Sequence, residues 1–399
     1  MMLSASGISL WEQSLRRRKT LSLGLTFLFV GLLLGAWVVS AQTSTSVYLG
    51  GAWTVATEDG VSFYSKNPYG DVVYVGLDEA AAINSVIASD RWVQIRVGCY
   101  ELSSSVVIDG ASDLRISGDG RVATKLKAAN GLNDNVITIR DSTHVTIEAL
   151  TVDGNKDNNV LGNGIDIAGT LGHYCSNIIV DKVQVLSCKQ SGIVISDLGG
   201  IFTGILFVTN SMVDFNGDDG YGAGVYLAAP DCIISGNDIG KNNMGIVNYA
   251  GASSISNNHV WGSTSVGVGV FSGSFHTRVE GNRLDYNLQE GLYLNDTSVV
   301  AVTGNEIRLN GQHKPNTYAG VKIVGSASDP IDGVTFVGNI IGSDFSTAES
   351  QKYGVTVSGG AHATHILIGA NNFRLAATAN LIVSWDNATC REIGNLGAL

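Results

Sequence analysis

Six residues between 290 and 322 carry side chains suited to proton transfer and charge stabilisation. Glu290, Tyr293 and Asp296 lie within seven positions of one another, His313 and Tyr318 follow, and Lys322 closes the group. Glu290 or His313 can act as acid or base, and Lys322 can hold a carboxylate or, with a lowered pKa, take up a proton. Asp296 supplies a second carboxylate beside them. Tyr226, Tyr293 and Tyr318 offer flat faces and hydroxyls for binding. A second acidic spot, Asp218 and Asp219 in "FNGDDGYGAGVYL" (215–227), can divide acid and base roles or bind calcium with nearby carbonyl oxygens. Each group can also be read as ordinary polar loop and surface residues, so placement by the fold decides.

The elements that must place them recur along the chain. Asn-x-apolar-x-x-Asn appears at Asn237–Asn242, Asn282–Asn287 and Asn305–Asn310, with looser copies from Ser211, Asn258 and Asn339. A Gly-apolar-x-apolar unit follows each, including "GIVI" at 192, "GVYL" at 224, "GLYL" at 291 and "GVKI" at 320, at intervals of 21 to 34 residues. Constant strands with loops of varying length describe one turn of a solenoid. Apolar residues alternate within each period, as strands require, and no helical stretch separates them, which disfavours βαβ architectures. Stacking coils about 4.8 Å apart gives every short strand partners above and below. Asparagine suits the turns because it tolerates left-handed angles and its amides can hydrogen-bond from coil to coil.

This refrain resembles the right-handed parallel β-helix repeats of the pectate-lyase-like superfamily over roughly 100–385. "DEAAAINSVIAS" (78–89) and the strands after it resemble the amino-terminal cap and first coils of such proteins. The expected fold is all-β: a single-stranded right-handed parallel β-helix of about nine to eleven coils. Asp78 is expected to cap a helix whose Ala81, Ile83, Val86 and Ile87 form a small apolar face plugging the solenoid. The expected organisation is a leader over 1–41, a small β meander over 46–76 and the β-helix over 77–395.

In each Gly-apolar-x-apolar strand the middle residue points outward. The outward row is then Asp166, Val194, Tyr226, Val247, Gly269, Tyr293, Lys322 and Thr356. Tyr226 and Tyr293 lie three coils, or about 14 Å, apart, and the small groups Val247 and Gly269 between them leave the floor of a trough. In relatives this strand face forms a saccharide groove, so the resemblance implies a polysaccharide ligand.

The chain departs from the catalytic patterns of its relatives. Against polygalacturonases it has Asn163 where an acid is needed, Asp218 and Asp219 come one coil late, and Val321-Lys322-Ile323 keeps only a trace of the last motif. The outward row has no arginine, as pectate-lyase-like elimination would want, and Asp329-Pro330-Ile331 stops short of the epimerase Asp-Pro-His. No P-loop, HExxH or Gly-x-Ser-x-Gly motif occurs.

With 399 residues, 50 glycines, only 4 prolines and 15% charged residues, the composition favours many short strands and turns. A formal net charge of -11 argues against nucleic acid as a partner. Arg16, Arg17, Arg18 and Lys19 precede an apolar run over 21–39, and small residues "VSA" at 39–41 suit a signal peptidase. The leader is either a long signal peptide or an uncleaved membrane anchor, and the body is secreted or at the cell surface. Five scattered cysteines suggest small buried side chains, with Cys175 and Cys188 the nearest candidates for a disulfide. Calcium is the one cofactor suggested. The leading expectation is an exported or anchored β-helix that binds an extracellular polysaccharide; if it is also an enzyme, it is a polysaccharide lyase or glycoside hydrolase. The alternative is a non-catalytic structural, envelope or adhesive surface protein.

Overall fold

A computed structural model describes residues 51–397 apart from 198–203, 219–221, 315, 343–350, 375 and 377–378. The leader lies outside the described residues. No described helix is long and apolar enough to cross a membrane.

The described chain begins with three antiparallel strands, Trp53–Thr57, Phe63–Lys66 and Val72–Gly76. Asp59 makes the first turn by accepting from the amides of Val61 and Ser62. Trp53–Thr57 also pairs in parallel with Trp92–Ile95, so the meander starts one face of the solenoid. Between them runs the helix Glu79–Asn84, where the Asp78 carboxylate accepts the Ala81 amide at 3.0 Å. Its buried residues are Ala80, Ala82 and Ile83, with Val86 just beyond. Ala81 and Ile87 are only half-buried. The contact face is thus rotated from the one expected, because one short turn packs against strands on two sides.

From Trp92 onward the coils form three parallel sheets. A middle coil places Cys232–Ser235 in sheet A, Asp238–Gly240 in sheet B and Met244–Asn248 in sheet C. Inward residues of each, such as Ile234, Ile239 and Ile246, are fully buried. Burying one such side chain contributes roughly 1.5–3 kcal/mol, and the core runs the length of the solenoid. The five cysteines are all free thiols; Cys175, Cys188, Cys232 and Cys390 are buried.

Two amide ladders hold the corners. Between sheets A and B, Asn237, Asn258, Asn282, Asn305, Asn339, Asn371 and Asn395 stack coil upon coil. The Oδ1 of Asn282 accepts both the backbone amide and the Nδ2 of Asn258, at 3.0 Å each, while its own Nδ2 donates to the Ile255 carbonyl. The left-handed backbone belongs to the residue before each rung, such as Asn257 and Gly281, and not to the rung itself. Asparagine is therefore selected here for its stacked amide, not for turn conformation.

The second ladder, between sheets B and C, runs through Asn216, Asn242, Asn287, Asn310 and Gln351. Ser263 occupies the rung between Asn242 and Asn287, and its hydroxyl is buried without a partner.

Candidate functional site on sheet C

Sheet C carries the outward row in the expected register: Asp166, Val194, Tyr226, Val247, Gly269, Tyr293, Lys322 and Thr356 are successive cross-strand neighbours. The glycines opening these strands have a steric cause. A Cβ on Gly192, Gly267 or Gly291 would lie 2.5 to 2.8 Å from the ladder amide of Asn216, Asn287 or Asn310 in the next coil. The second ladder thus packs against the opening glycine in several strands of the row.

No open trough lies between Tyr226 and Tyr293. Two residues past Val247 and Gly269 on the same face come Tyr249 and Phe271, whose rings fill that space. The Phe271 ring lies where a Cβ on Gly269 would be, and Val247 is fully buried. Ring centroids are 5.7 Å apart for Tyr226 and Tyr249, 5.0 Å for Tyr249 and Phe271, which are stacked, and 5.7 Å for Phe271 and Tyr293, which meet edge to face. Such pairs contribute about 0.5–1.5 kcal/mol each beyond area burial. A continuous aromatic strip therefore replaces the expected gap, with Tyr249 exposed and the other three rings half-buried.

The strip ends in a charged pair. The Lys322 ammonium sits 4.9 Å from the centre of the Tyr293 ring and 4.0 Å from a carboxylate oxygen of Glu290. Glu290 is buried, and burial pushes its carboxyl above the usual range, with Lys322 pulling the other way. Burial, helped by the charges of Glu290 and Asp296, also raises the Tyr293 phenol. The Tyr293 hydroxyl donates to Asn295 Oδ1 at 3.2 Å, and Asn295 Nδ2 donates to Asp296 at 3.1 Å. Chemically, this end offers a buried acid, an ammonium and an oriented phenol within one coil spacing.

The other expected residues are placed differently. Asp296 has a left-handed backbone and accepts the Ser326 amide at 2.8 Å, which makes it a turn anchor. His313 is exposed in its loop and makes neither hydrogen bond nor ion pair with Glu290 or Lys322. The backbone amide of His313 donates to the Leu288 carbonyl, and the Tyr318 carbonyl accepts from Lys352, so both loop residues are tied to neighbouring coils by main chain. Asp218 lies between Lys189 at 2.7 Å and Lys156 at 3.2 Å, which hold its carboxyl below the usual range. Asp219 lies outside the described residues. Asp166, at the far end of the row, is paired with Arg140. Among the described residues no group of three or more His, Cys, Asp or Glu side chains could hold a metal ion.

Tyr249, Phe271 and Asn295 are the site residues that motif reading misses. The signal was available: each lies two residues beyond an outward position, so extending the two-residue period past the Gly-apolar-x-apolar unit finds all three.

A family described as the right handed beta helix region matches residues 213–341. No curated protein sequence matches the chain. Among solved structures, the A-module of the mannuronan C-5 epimerase AlgE6 of Azotobacter vinelandii is similar, with a TM-score of 0.57 and 16% identity over 81% of this chain and 96% of that one. The enzymatically active domain of bacteriophage CBA120 tailspike protein 2 has a TM-score of 0.53 and 15% identity over 82% of this chain and 55% of that one. The tailspike of E. coli bacteriophage HK620, solved in complex with a pentasaccharide, has a TM-score of 0.53 and 14% identity over 82% and 64%. At such identities the likeness is one of fold. This chain is a right-handed parallel β-helix protein.

Proposed function

We propose that this protein is exported and binds an extracellular polysaccharide along sheet C, with sugar rings stacked on the strip Tyr226, Tyr249, Phe271 and Tyr293. The observation that carries this reading is the continuity of four aromatic rings on one exposed sheet face, ending in Lys322 and Glu290. Sugars present apolar faces that stack on aromatic rings while their hydroxyls seek polar neighbours. The similar folds of an epimerase and of tailspikes, one of them holding a pentasaccharide, support the reading by analogy only. The basic cluster and apolar run of the leader support export.

Glu290 is the proposed proton donor for bond cleavage at the Lys322 end, since burial raises its carboxyl above the usual range and so favours the protonated form that a leaving oxygen needs. The test is calorimetric titration of the full chain against neutral and acidic oligosaccharides, followed by assays for reducing ends and unsaturated products. Binding weakened at least tenfold in Phe271→Ala, and product formation abolished in Glu290→Gln, are the expected results. If no glycan binds, the reading fails. Binding without turnover in the wild type leaves the strip as a recognition surface and removes Glu290 from chemistry.

A further inference from the structure

The strip and its surroundings constrain the charge pattern of the ligand. Lys322 is the single cation in the central outward row of sheet C, which runs from Val107 through Tyr226 and Tyr293 to Ile382. The neighbouring outward positions, Ser196, Ala228, Tyr249, Phe271, Asn295, Val324 and Ser358, hold none. Arg140, toward the amino-terminal end, is already paired with Asp166 and is separated from Tyr226 by the coil of Val194. The chain as a whole carries a net charge of -11.

Resting on the carbohydrate-binding reading, we propose that the ligand is a heteropolysaccharide with an isolated acidic residue. That residue sits at Lys322, and neutral residues cover Phe271, Tyr249 and Tyr226. A polymer charged at every residue would lay carboxylates across three coils of uncharged aromatic surface, about 14 Å. There they would lose water without gaining a counter-charge, and the acidic chain would repel them at longer range. A fully neutral polymer would add nothing to the Lys322 ammonium beyond its 4.0 Å pair with the buried Glu290 carboxylate. The Lys322 position above the Tyr293 ring keeps the ammonium within reach of a sugar stacked there.

The experiment compares three probe classes on the full chain by calorimetry: neutral gluco-oligosaccharides, oligouronates charged at every residue, and hetero-oligosaccharides with one glucuronate per repeat. The hetero-oligosaccharides are expected to bind about tenfold more tightly than either other class. In Lys322→Gln the ratio of hetero-oligosaccharide to neutral affinity should collapse to about one. In Phe271→Ala both affinities should fall together with the ratio kept. Oligouronates binding as tightly as the hetero-oligosaccharides, or a ratio unchanged in Lys322→Gln, would overturn the inference while leaving the carbohydrate reading intact. Failure of all three classes to bind would remove both.

Discussion

The amide of Asn310 takes the space that a side chain on Gly291 would need, its Nδ2 lying 2.5 Å from where a Cβ would stand. The two residues belong to successive coils. The same relation joins Gly267 to Asn287 and Gly192 to Asn216, so the corner amide and the strand-opening glycine form one device. It recurs at several strands of the face that carries Tyr293 and Lys322, including those of both residues, where Gly291 meets Asn310 and Gly320 meets Gln351.

Gly291→Ala should therefore destabilise the protein by about 1–3 kcal/mol, the usual result of overpacking a filled interior. Thermal unfolding measures it. Gly304, a turn glycine with nothing near a would-be Cβ, has a positive φ and would respond through backbone strain instead. A Gly291→Ala protein as stable as the wild type would mean that the corner is loosely packed.

Asn282→Ala removes a rung whose amide serves four partners, among them the buried backbone amide and side chain of Asn258. A loss of about 2–4 kcal/mol follows from stranding these groups. Ser263→Asn is the complementary change. It completes the second ladder where a buried hydroxyl has no partner, beside a glycine, Gly245, that leaves room for the amide. A gain of about 1–2 kcal/mol is expected in the same unfolding assay; a loss would show that the corner has closed around serine.

Asp214 gives the fold a dependence on pH. Burial, with the charge of Asp238 second, pushes its carboxyl from 3.8 up to about 6. Between about pH 4 and 6 the unfolded chain releases this proton while the folded one keeps it. Stability from this group is thus fully present below pH 4, falls as pH rises to about 6, and is level above that. Asp214→Asn should flatten that slope and stabilise the protein at pH 7 by up to about 3 kcal/mol. Urea melts of both proteins at pH 4, 5.5 and 7 measure it, and parallel pH profiles would contradict the assignment.

Removal of single rings should separate binding from folding. Tyr249 is the most exposed of the four rings, so Tyr249→Ala should lower glycan affinity several-fold while shifting the melting temperature little. Equal affinity in the variant would place the ligand elsewhere.

The sequence made the architecture legible because the strand period and the repeated asparagines and glycines are both local consequences of stacking. The register of Tyr226, Tyr293 and Lys322 followed directly. Three things were not legible. Phe271 folds back over Gly269, and that depends on a ring from one position filling space above another. Asp296 and His313 are near Glu290 in sequence, but turn geometry commits the first to an amide of the next coil and a loop carries the second into solvent. The lysines that neutralise Asp218 come from earlier coils, at sequence distances that no spacing rule connects.

The central claim is that sugars lie on sheet C, and its most direct measurement is a crystal structure of the protein soaked with the tightest-binding oligosaccharide from the panel. The account predicts sugar rings stacked over Tyr249 and Phe271, with the acidic residue within hydrogen-bond distance of Lys322. Sugar bound on sheet A or B, with sheet C bare, would contradict it.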